Sequence, residues 1–302
     1  MTVCFDIGGS AIKAALARSP NDLRDLGSRV TPTDDFEAFC RAIDELAASG
    51  GAPTQPLSIA IAGVVDPSSG RITCANVPCA NGRRLAEDLS AALARPVHVT
   101  NDADCFALAE AGAGAGRGHR VVFGVILGTG VGGGLVVSGR LVEGAGGFAG
   151  EWGHAPILAK QAGDPPVDIP WFACGCGQRG CIDTIGGARG LERLHTHLTG
   201  ETWTSIDIMD AWRVRDPRVA QTLACYVELV AQPLAFCVNV VGADIVPVGG
   251  GLGRETALLE ALDESVRARI LRRSDEPLVV PARCTGNGGL VGAALAAQAG
   301  RM

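Results

Sequence analysis

The sequence predicts two α/β domains with a cleft between them. Apolar runs of strand length alternate with segments of helical spacing along most of the 302 residues. Two units of strand, glycine-rich turn and returning strand also occur, FDIGGSAIKAAL from Phe5 and ILGTGVGGGLVV from Ile126. The two units share the order of their elements but few residue identities, which indicates a weak internal duplication. Each would open one half of the chain, with its turn facing a shared cleft of the kind that commonly holds small ligands.

The domain boundaries follow from composition. A stretch of Gly, Ala and Arg over 112–118 is typical of a linker, and the apolar helix expected over Gly288–Ala299 is of the kind that packs back on the first domain. We therefore expect a small N-terminal domain over residues 1–118 plus 288–302. A larger domain over 119–287 would carry a cysteine-rich loop.

Hydrophobic spacing predicts the individual elements. In the first half we expect strands over Val3–Ile7, Ile12–Ala17, Leu57–Ala62 and Val97–Thr100, and helices over Phe36–Ala48, Leu85–Leu93 and Asn101–Ala111. In the second half we expect strands over Val121–Leu127, Leu135–Ser138 and Asp244–Val248, and helices over Gly187–His197, Pro217–Val241 and Glu255–Arg272. The long apolar run within Pro217–Val241 contains Glu228, Gln232, Pro233 and Asn239, which favours a buried helix over a membrane span.

Composition and charge exclude several classes of protein. The net charge of −6 argues against a general nucleic-acid binder, which neutralises phosphates with surplus Lys and Arg. The N-terminus does not resemble a signal peptide, so the 11 cysteines indicate a reducing compartment and free thiols or metal ligands rather than disulfides. We expect a cytoplasmic protein that binds neither membranes nor nucleic acid.

Glycines concentrate at three junctions between periodic segments. Asp6 precedes Gly8-Gly9-Ser10, where backbone N–H groups could approach a phosphate and Asp6 could hold Mg²⁺; a simple tight hairpin explains the same letters. Residues 128–134 contain five glycines, a density that favours a phosphate cradle with Thr129 as hydroxyl donor. Gly249-Gly250-Gly251 could border an adenosine or could be a helix-entry turn.

Asn101-Asp102 stands at a predicted strand-to-helix junction. A carboxylate there could accept the proton of an attacking hydroxyl. The local sequence favours the alternative, a helix N-cap followed by an acid at the first helical position. The sequence at this point leaves both interpretations open.

Four metal-ligand residues occur in two nearby segments. GEWGH ends on His154, and CGCGQRGC supplies Cys174, Cys176 and Cys181. Three thiols and one imidazole fill the tetrahedral coordination that zinc takes in closed structural sites, although three free thiols in a loop are the alternative. The spacing differs from the paired C-x-x-C of nucleic-acid zinc ribbons.

Taken in order, these motifs resemble the ROK family of repressors, open reading frames and sugar kinases. The resemblance covers nearly the whole chain and lies in DIGGS, ANVPCANGRRL, TNDADCFALAEA, ILGTGVGGG, AGEWGH, CGCGQRGCID and IVPVGGGL. Within the family, ANVP, NDADCFALAEA and CGCGQRGCI look most like bacterial N-acetylglucosamine kinases, and AGEWGH also resembles the fructokinase and mannokinase group. The resemblance implies the two-domain actin-like ATPase fold, which is ribonuclease H-like, and a homodimer.

The resemblance also implies roles for individual residues. Asp102 would be the catalytic base, and the sugar would be contacted by Asn76, Asn101, Asp102, Glu151, His154 and Asp183. Zinc would be bound by His154, Cys174, Cys176 and Cys181. ATP and Mg²⁺ would be held near Asp6, Gly8, Gly9, Ser10, Gly128, Thr129, Gly130, Gly132, Gly133, Gly134 and Gly250. The product would be a sugar 6-phosphate.

The sequence departs from the family pattern at three positions. The usual GGTK reads Gly9-Ser10-Ala11, so its lysine is absent and Lys13 stands two positions later. The sugar-contacting glutamate after the last zinc cysteine is Asp183, which is one methylene shorter. Where the family usually has an acidic Gly-Asp pair near the C-terminus, this sequence has Gly286-Asn287.

The leading functional hypothesis is an ATP-dependent kinase for the 6-hydroxyl of an N-acetylhexosamine, foremost N-acetylglucosamine. Glucose, mannose, fructose or N-acetylmannosamine are alternative substrates, and a non-catalytic sugar-binding protein is a further alternative. A sugar-responsive repressor is disfavoured, because such members carry a helix-turn-helix before the kinase-like core and the phosphate loop here begins at residue 6.

Overall fold

The computed structural model describes residues 1–51 and 54–299. Contacts group the chain into two units. Unit 1 comprises Met1–Arg120, Gly134–Gly150 and the C-terminal segment that begins at Arg283, and unit 2 comprises Val121–Gly133 and Glu151–Ala282. The domain boundaries predicted from the sequence stay a prediction, and their residues 52–53 and 300–302 lie outside the described ranges.

Strands and helices alternate along the chain. The strands are β1 (Thr2–Ile7), β2 (Ala11–Ser19), β3 (Asp22–Val30), β4 (Leu57–Ile61), β5 (Val64–Val65), β6 (Ile72–Thr73), β7 (Val97–Asn101), β8 (Val121–Leu127), β9 (Val131–Val137), β10 (Arg140–Leu141), β11 (Gln161–Ala162), β12 (Val167–Asp168), β13 (Val246–Gly249) and β14 (Val279–Pro281). The helices are α1 (Phe36–Ser49), α2 (Leu85–Leu93), α3 (Asp102–Gly112), α4 (Asp183–Gly186), α5 (Ala188–Thr199), α6 (Ser205–Arg213), α7 (Pro217–Val241), α8 (Thr256–Arg267) and α9 (Gly288–Ala299).

Two five-stranded sheets have the same plan. The first has the order β3-β2-β1-β4-β7, with β1 to β3 antiparallel and β4 and β7 parallel to β1. The second has the order β10-β9-β8-β13-β14, in which β13 is parallel to both β8 and β14. In each, a hairpin is followed by parallel strands, and parallel neighbours require crossover connections, usually through helices. The predicted α/β class is confirmed, and the shared strand order agrees with an internal duplication.

The first sheet of unit 1 is buried on both faces, but by different side chains. One face is covered by α1 and α2 and is built from large residues, among them Phe5, Phe39, Ile59 and Leu89. The other face lies under α9 and is built almost entirely from small residues: Cys4, Ala15, Ala17, Ala60, Cys105, Ala293 and Ala294, with Leu290. Small side chains allow the helices on this face to approach the sheet and one another closely.

The contact between α3 and α9 is a backbone approach. A Cβ added at Gly292 would lie 1.9 Å from the carbonyl oxygen of Cys105. On the same face, the buried Ser58 hydroxyl donates a hydrogen bond of 2.7 Å to the carbonyl oxygen of Ala293. The position of α9 on unit 1 therefore depends on the absence of a side chain at residue 292.

The long helix α7 belongs to the core of unit 2. Among the described residues it is the one helix of at least 18 residues that is apolar enough to cross a membrane, but half of its apolar window is buried. It packs against α4, α5, α6 and α8, and Tyr226 on it is fully buried with its hydroxyl bonded to the carbonyl oxygen of Gly186 at 2.6 Å. These are the contacts of the buried helix that the sequence predicted.

Several elements differ from the sequence-based expectation, among them α6 and β14, which were not predicted, and three further differences have a physical reason. The strand β3 was not predicted, because its residues are mostly exposed and polar and carry no apolar period. The helix α8 ends at Arg267 rather than Arg272; the apolar residues that follow, Ala268, Ile270 and Leu271, are exposed or only partly buried, so no packed face extends the helix. The strand β9 begins at Val131, within the predicted glycine loop, because glycines can form strand ladders as well as turns.

We predict that Gly292→Ala lowers the free energy of unfolding by about 2 kcal/mol. The new methyl group would collide with the Cys105 backbone, and overpacking at a rigid contact of this kind costs about 1–3 kcal/mol. Denaturant titration followed by circular dichroism measures the change.

The matched control is Gly288→Ala in the same helix, where the nearest atom to the new methyl group is Phe106 Cδ2 at 3.5 Å. Gly288 opens the helix, so its change gains less helix propensity than one at the interior Gly292, and a lower stability of the Gly292→Ala variant is therefore due to the collision. Equal stability of the two variants would contradict the close approach.

Candidate active site and metal centre

The turn between β1 and β2 is fixed within unit 1. The Gly8 amide donates to the Ala11 carbonyl at 3.0 Å, and the Thr31 hydroxyl donates to the Gly8 carbonyl at 2.7 Å. A Cβ at Gly9 would lie 2.9 Å from the backbone oxygen of Asn76. The structure thus brings Gly8, Gly9 and Ser10 of the predicted phosphate loop next to Asn76, a predicted sugar contact.

Asp6 lies beside this turn in a crowded position. It is paired across the ladder with Lys13, so both side chains lie on one face of the sheet. A Cβ at Gly289 would lie 2.6 Å from the Asp6 carboxyl carbon, so α9 begins directly against this group. Burial raises the pKa of Asp6, and the positive charge of Lys13 acts in the opposite direction.

Asn101 caps α3 and leaves Asp102 at its first position. The Asn101 Oδ1 accepts from the amides of Ala103 and Asp104 at 2.8 and 3.0 Å, while its Nδ2 donates to the Gly63 carbonyl at 3.0 Å. The N-cap role that the sequence offered for this pair is therefore filled by Asn101.

The carboxyl group of Asp102 has an environment suited to a base. Burial raises its pKa, and the nearby negative charge of Asp6 raises it further, while a hydrogen bond from the Ala103 amide lowers it. A carboxylate whose pKa is raised takes up a proton more readily, which is the property that a general base requires.

The glycine-rich segment Gly128–Gly133, here called the glycine turn, is enclosed within unit 2 by backbone from distant parts of the chain. A Cβ at Gly250, whose φ is +87°, would lie 2.3 Å from the Leu127 carbonyl oxygen and 2.6 Å from the Gly128 nitrogen. A Cβ at Gly153 would lie 2.5 Å from the Val131 carbonyl oxygen. The third glycine cluster of the sequence therefore packs against the start of the second.

Other predicted loop residues occupy different surroundings. Thr129 is exposed at the tip of the glycine turn, and the Gly132 carbonyl accepts a hydrogen bond of 2.9 Å from the Trp152 indole. Gly134 groups with unit 1, where a Cβ would lie 2.8 Å from the Ala107 Cβ of α3. The absence of a side chain at Gly134 thus serves packing against α3.

Asp183 and the residues after it reach the glycine turn. The Asp183 Oδ1 accepts a hydrogen bond of 2.8 Å from the Val131 amide. The Ala188 amide donates to the Gly128 carbonyl at 2.8 Å, and a Cβ at Gly187 would lie 2.6 Å from the Thr129 carbonyl oxygen. The sugar contact expected of Asp183 stays a prediction, whereas its contact with the glycine turn was not predicted.

Short backbone pairings in unit 2 bring the four metal-ligand residues together. Pro156 forms a bridge with Cys181, and the Ile182 amide donates to the Ala155 carbonyl at 3.0 Å, which places His154 near Cys181. The Cys174 amide donates to the Gln178 carbonyl at 2.8 Å, and Gly177 has a φ of +91°, so the chain folds back between Cys174 and Cys181.

The donor atoms of His154, Cys174, Cys176 and Cys181 all lie within 4.8 Å of one another. The Cys174 sulfur lies 3.7 Å from His154 Nδ1, and the Cys176 and Cys181 sulfurs are 3.7 Å apart. Zinc bonds of about 2.0–2.3 Å in tetrahedral geometry separate ligand atoms by about 3.5 Å. The donor set therefore fits a tetrahedral ion with only small adjustment.

The surroundings of these ligands suit a closed metal site. His154 turns Nδ1 to the cysteines, and its Nε2 faces Glu151 Oε2 at 3.9 Å, beyond hydrogen-bond distance. A backbone hydrogen bond from Gln178 lowers the pKa of Cys176, whereas burial raises the pKa values of Cys174 and Cys181. All 11 cysteines are free thiols in the structure.

The predicted site residues are divided between the two units. Unit 1 holds Asp6, Gly8, Gly9, Ser10, Asn76, Asn101, Asp102 and Gly134, and unit 2 holds Gly128, Thr129, Gly130, Gly132, Gly133, Glu151, His154, Cys174, Cys176, Cys181, Asp183 and Gly250. Sequence reasoning missed Gly187 and Gly289, which approach the glycine turn and Asp6. The sequence carried a signal in each case, a pair of adjacent glycines at the start of a helix. Gly186-Gly187 immediately precedes α5, and Gly288-Gly289 opens α9.

Comparison with known proteins agrees with this geometry. A model of the ROK family matches residues 2–299. The chain belongs to the ROK family. It is 37% identical over 269 residues to the N-acetylgalactosamine kinase AgaK of Shewanella sp. (strain ANA-3), which covers 88% of this chain and 86% of that protein. It is 35% identical over 293 residues to the N-acetyl-D-glucosamine kinase of Citrobacter koseri, with 96% and 97% covered.

Solved structures of ROK proteins share the fold. The ROK hexokinase from Thermus thermophilus has a TM-score of 0.82 at 28% identity, covering 100% of this chain and 99% of that one. The ROK family glucokinase from Streptomyces griseus, solved with glucose and AMPPNP, has a TM-score of 0.75 at 27% identity, with 97% of each chain covered. The predicted actin-like ATPase fold is confirmed.

Proposed function

We propose that this protein is an ATP-dependent sugar kinase that phosphorylates the 6-hydroxyl of an N-acetylhexosamine, foremost N-acetylglucosamine. The observation that carries the proposal is the partly buried carboxyl group of Asp102 at the start of α3 in a chain of this family. The two relatives named above, an N-acetylgalactosamine kinase and an N-acetyl-D-glucosamine kinase, support the substrate class.

Asp102 acts as the general base. Its carboxylate accepts the proton of the sugar 6-hydroxyl as that oxygen attacks the γ-phosphorus of ATP, and its raised pKa favours this transfer. Phosphoryl transfer otherwise depends mainly on positioning and on stabilisation of charge. Asn101, by capping α3, holds the backbone from which Asp102 projects.

The phosphate donor is held by backbone amides. Gly8 to Ser10 and the glycine turn, with Gly134 and Gly250, contact the phosphates and adenosine of ATP, because segments without side chains let N–H groups approach an anion. Asp6 holds Mg²⁺ directly or through water. When bound, the metal neutralises charge that develops on the β- and γ-phosphate oxygens.

Asn76, Asn101, Glu151 and His154 contact sugar hydroxyls in this proposal, as the family resemblance implies. His154 also binds a structural Zn²⁺ together with Cys174, Cys176 and Cys181, the four residues whose donor atoms the structure brings together. A closed set of protein ligands leaves no position for substrate, so the ion orders the loop and takes no part in the chemistry.

We also propose a cytoplasmic homodimer. Support for a second copy comes from an exposed apolar patch at the C-terminal end of α7, where Phe236, Val240 and Leu271 are 61, 67 and 93% exposed. The Leu271 amide donates to Asn239 of α7 at 2.9 Å, which places the third residue beside the other two. Exposed patches of large apolar residues commonly mark protein contacts.

We predict that the purified protein releases ADP with ATP and N-acetylglucosamine, and that Asp102→Asn lowers kcat at least about 100-fold while sugar still binds. An amide cannot accept the hydroxyl proton, and general bases contribute about 100- to 10,000-fold. A coupled ADP-release assay over N-acetylglucosamine, N-acetylgalactosamine, N-acetylmannosamine, glucose, mannose and fructose gives kcat/KM for each sugar.

Asp275→Asn, at an exposed aspartate of unit 2, is the matched control and should behave as wild type. Calorimetric titration with sugar separates binding from turnover. An Asp102→Asn variant with most of the wild-type kcat would exclude this base, and absence of turnover with every sugar would favour a non-catalytic binding protein.

We predict that kcat/KM for the sugar falls as the pH is lowered through a pKa above about 3.9, the ordinary value for aspartate. Burial and Asp6 raise the pKa of Asp102, and only the ionised carboxylate accepts a proton, so activity is lost on the acid side of that pKa. A pH–rate profile at saturating Mg²⁺ measures this loss of activity at acid pH, and circular dichroism at each pH checks that the protein stays folded. Full activity down to about pH 4 would contradict the raised pKa.

We predict that the purified protein contains about one zinc ion per chain and that Cys176→Ser loses most of it. Binding of the ion to the folded state stabilises that state, so the variant should also unfold at a lower temperature. Cys237→Ser, a cysteine of α7 outside the cluster, is the matched control and should keep the metal. Metal analysis by mass spectrometry decides the question, and a zinc-replete Cys176→Ser would argue against the site.

A further inference from the structure

The carboxylate of Asp183 is directed at the glycine turn. Its Oδ1 accepts the Val131 amide at 2.8 Å, and a Cβ at Gly130 would lie 2.5 Å from the same oxygen. The side chain thus occupies the space that any residue other than glycine at 130 would need. Both groups belong to unit 2.

This contact is one of a set that joins two segments of unit 2. Ala188 donates to the Gly128 carbonyl at 2.8 Å, and a Cβ at Gly187 would lie 2.6 Å from Gly130 Cα. Asp183 begins the segment from 183 to 188 and lies two residues after Cys181, a proposed zinc ligand. Through Asp183 the cysteine loop is therefore bonded to the peptide that follows Gly130.

The chemistry of this bond favours a role in ordering the turn. A glycine-rich segment loses much conformational entropy when a phosphate fixes it, and a hydrogen bond made beforehand lowers that loss. The Val131 amide, once bonded to Asp183, is directed at a carboxylate and is no longer available to an anion.

We infer that Asp183 is a positioning residue for the phosphate donor: its bond to Val131 holds the glycine turn in the form that binds ATP. The inference rests on the proposed function of the glycine turn. It gives Asp183 a role different from the sugar contact that the resemblance implies for this position, where the family has a side chain one methylene longer.

Asp183→Ala and Asp183→Asn distinguish the two roles. Alanine removes the acceptor, so we expect KM for ATP to rise about tenfold or more, the value of a hydrogen bond to a charged group, with KM for the sugar within twofold. Asparagine keeps an oxygen that can accept from Val131, so its KM for ATP should stay within about threefold of wild type.

A sugar contact would give the opposite pattern. Neither variant retains the carboxylate, so both would raise KM for the sugar and leave KM for ATP unchanged. That result, in either variant, would overturn the inference. Asp183→Asn can give this result even if the alanine variant fails to fold.

Calorimetric titration with AMPPNP in the absence of sugar is the second measurement. It separates this inference from the proposed activity, because a wild type that binds the nucleotide but phosphorylates no sugar would refute the activity and leave the inference open to the same comparison. We expect Asp183→Ala to weaken AMPPNP binding about tenfold, and equal affinity of Asp183→Ala and wild type would overturn the inference.

Asp275→Ala and Asp275→Asn make the same changes at an exposed aspartate and should leave nucleotide affinity unchanged. Zinc content and the thermal unfolding midpoint are measured for every variant. A loss of affinity in Asp183→Ala at unchanged zinc content supports positioning of the turn, whereas a loss that follows zinc content across the variants would overturn it in favour of general damage to the loop.

Discussion

The structure of unit 2 depends on backbone meeting backbone at the glycine turn. Gly250, Gly187 and Gly153 come from three distant parts of the sequence, and a Cβ on any of them would lie 2.3–2.6 Å from a carbonyl oxygen of residues 127–131. No side chain fits at such a contact, so residues 153, 187 and 250 must each be glycine. Close approaches of this kind account for part of the glycine content, 42 of 302 residues, which is spread along the sequence and does not form a low-complexity segment.

In unit 1, glycines also permit close approach, here of the helix α9 to its neighbours. Gly292 and Gly289 allow α9 to lie against the Cys105 backbone and against the Asp6 carboxyl group. Asp6 is thereby kept partly out of water near Asp102, and each of the two carboxyl groups has a raised pKa mainly through burial. The acid–base properties of the site thus follow from how closely a helix can approach a sheet, which is decided by small residues.

The sequence predicted local features well where the signal lies in adjacent residues. Pro217 at the start and Gly242 after the end gave α7 its bounds, and the spacing of apolar residues gave α2. The three cysteines and His154 were recognised as one ligand set because zinc coordination restricts residue types so strongly. At Asn101-Asp102 the structure assigns the cap to Asn101, so a cap and a base can coexist there, and the role of Asp102 as the base stays a proposal.

Long-range contacts could not be predicted in the same way. Asp183 is 52 residues from Val131, and nothing in the letters around either residue indicates that a carboxylate of one accepts the amide of the other. The strand β3 was missed for a related reason, since it is held by pairing with β2 and not by an apolar face of its own. Sites assembled by fold topology become visible only when the fold is known.

The position of α9 in the chain has a consequence for how the protein is made. This helix covers the small-residue face of the first sheet, whose strands all lie between residues 2 and 101. The buried hydrogen bond from Ser58 to the Ala293 carbonyl joins the helix to that sheet. A ribosome delivers β1 to β7 well before α9, so that face is not yet covered by α9 while about 190 further residues are translated. Unit 2, whose residues end at Ala282, is complete before unit 1. The half of the molecule that begins the sequence is therefore the half that finishes folding last.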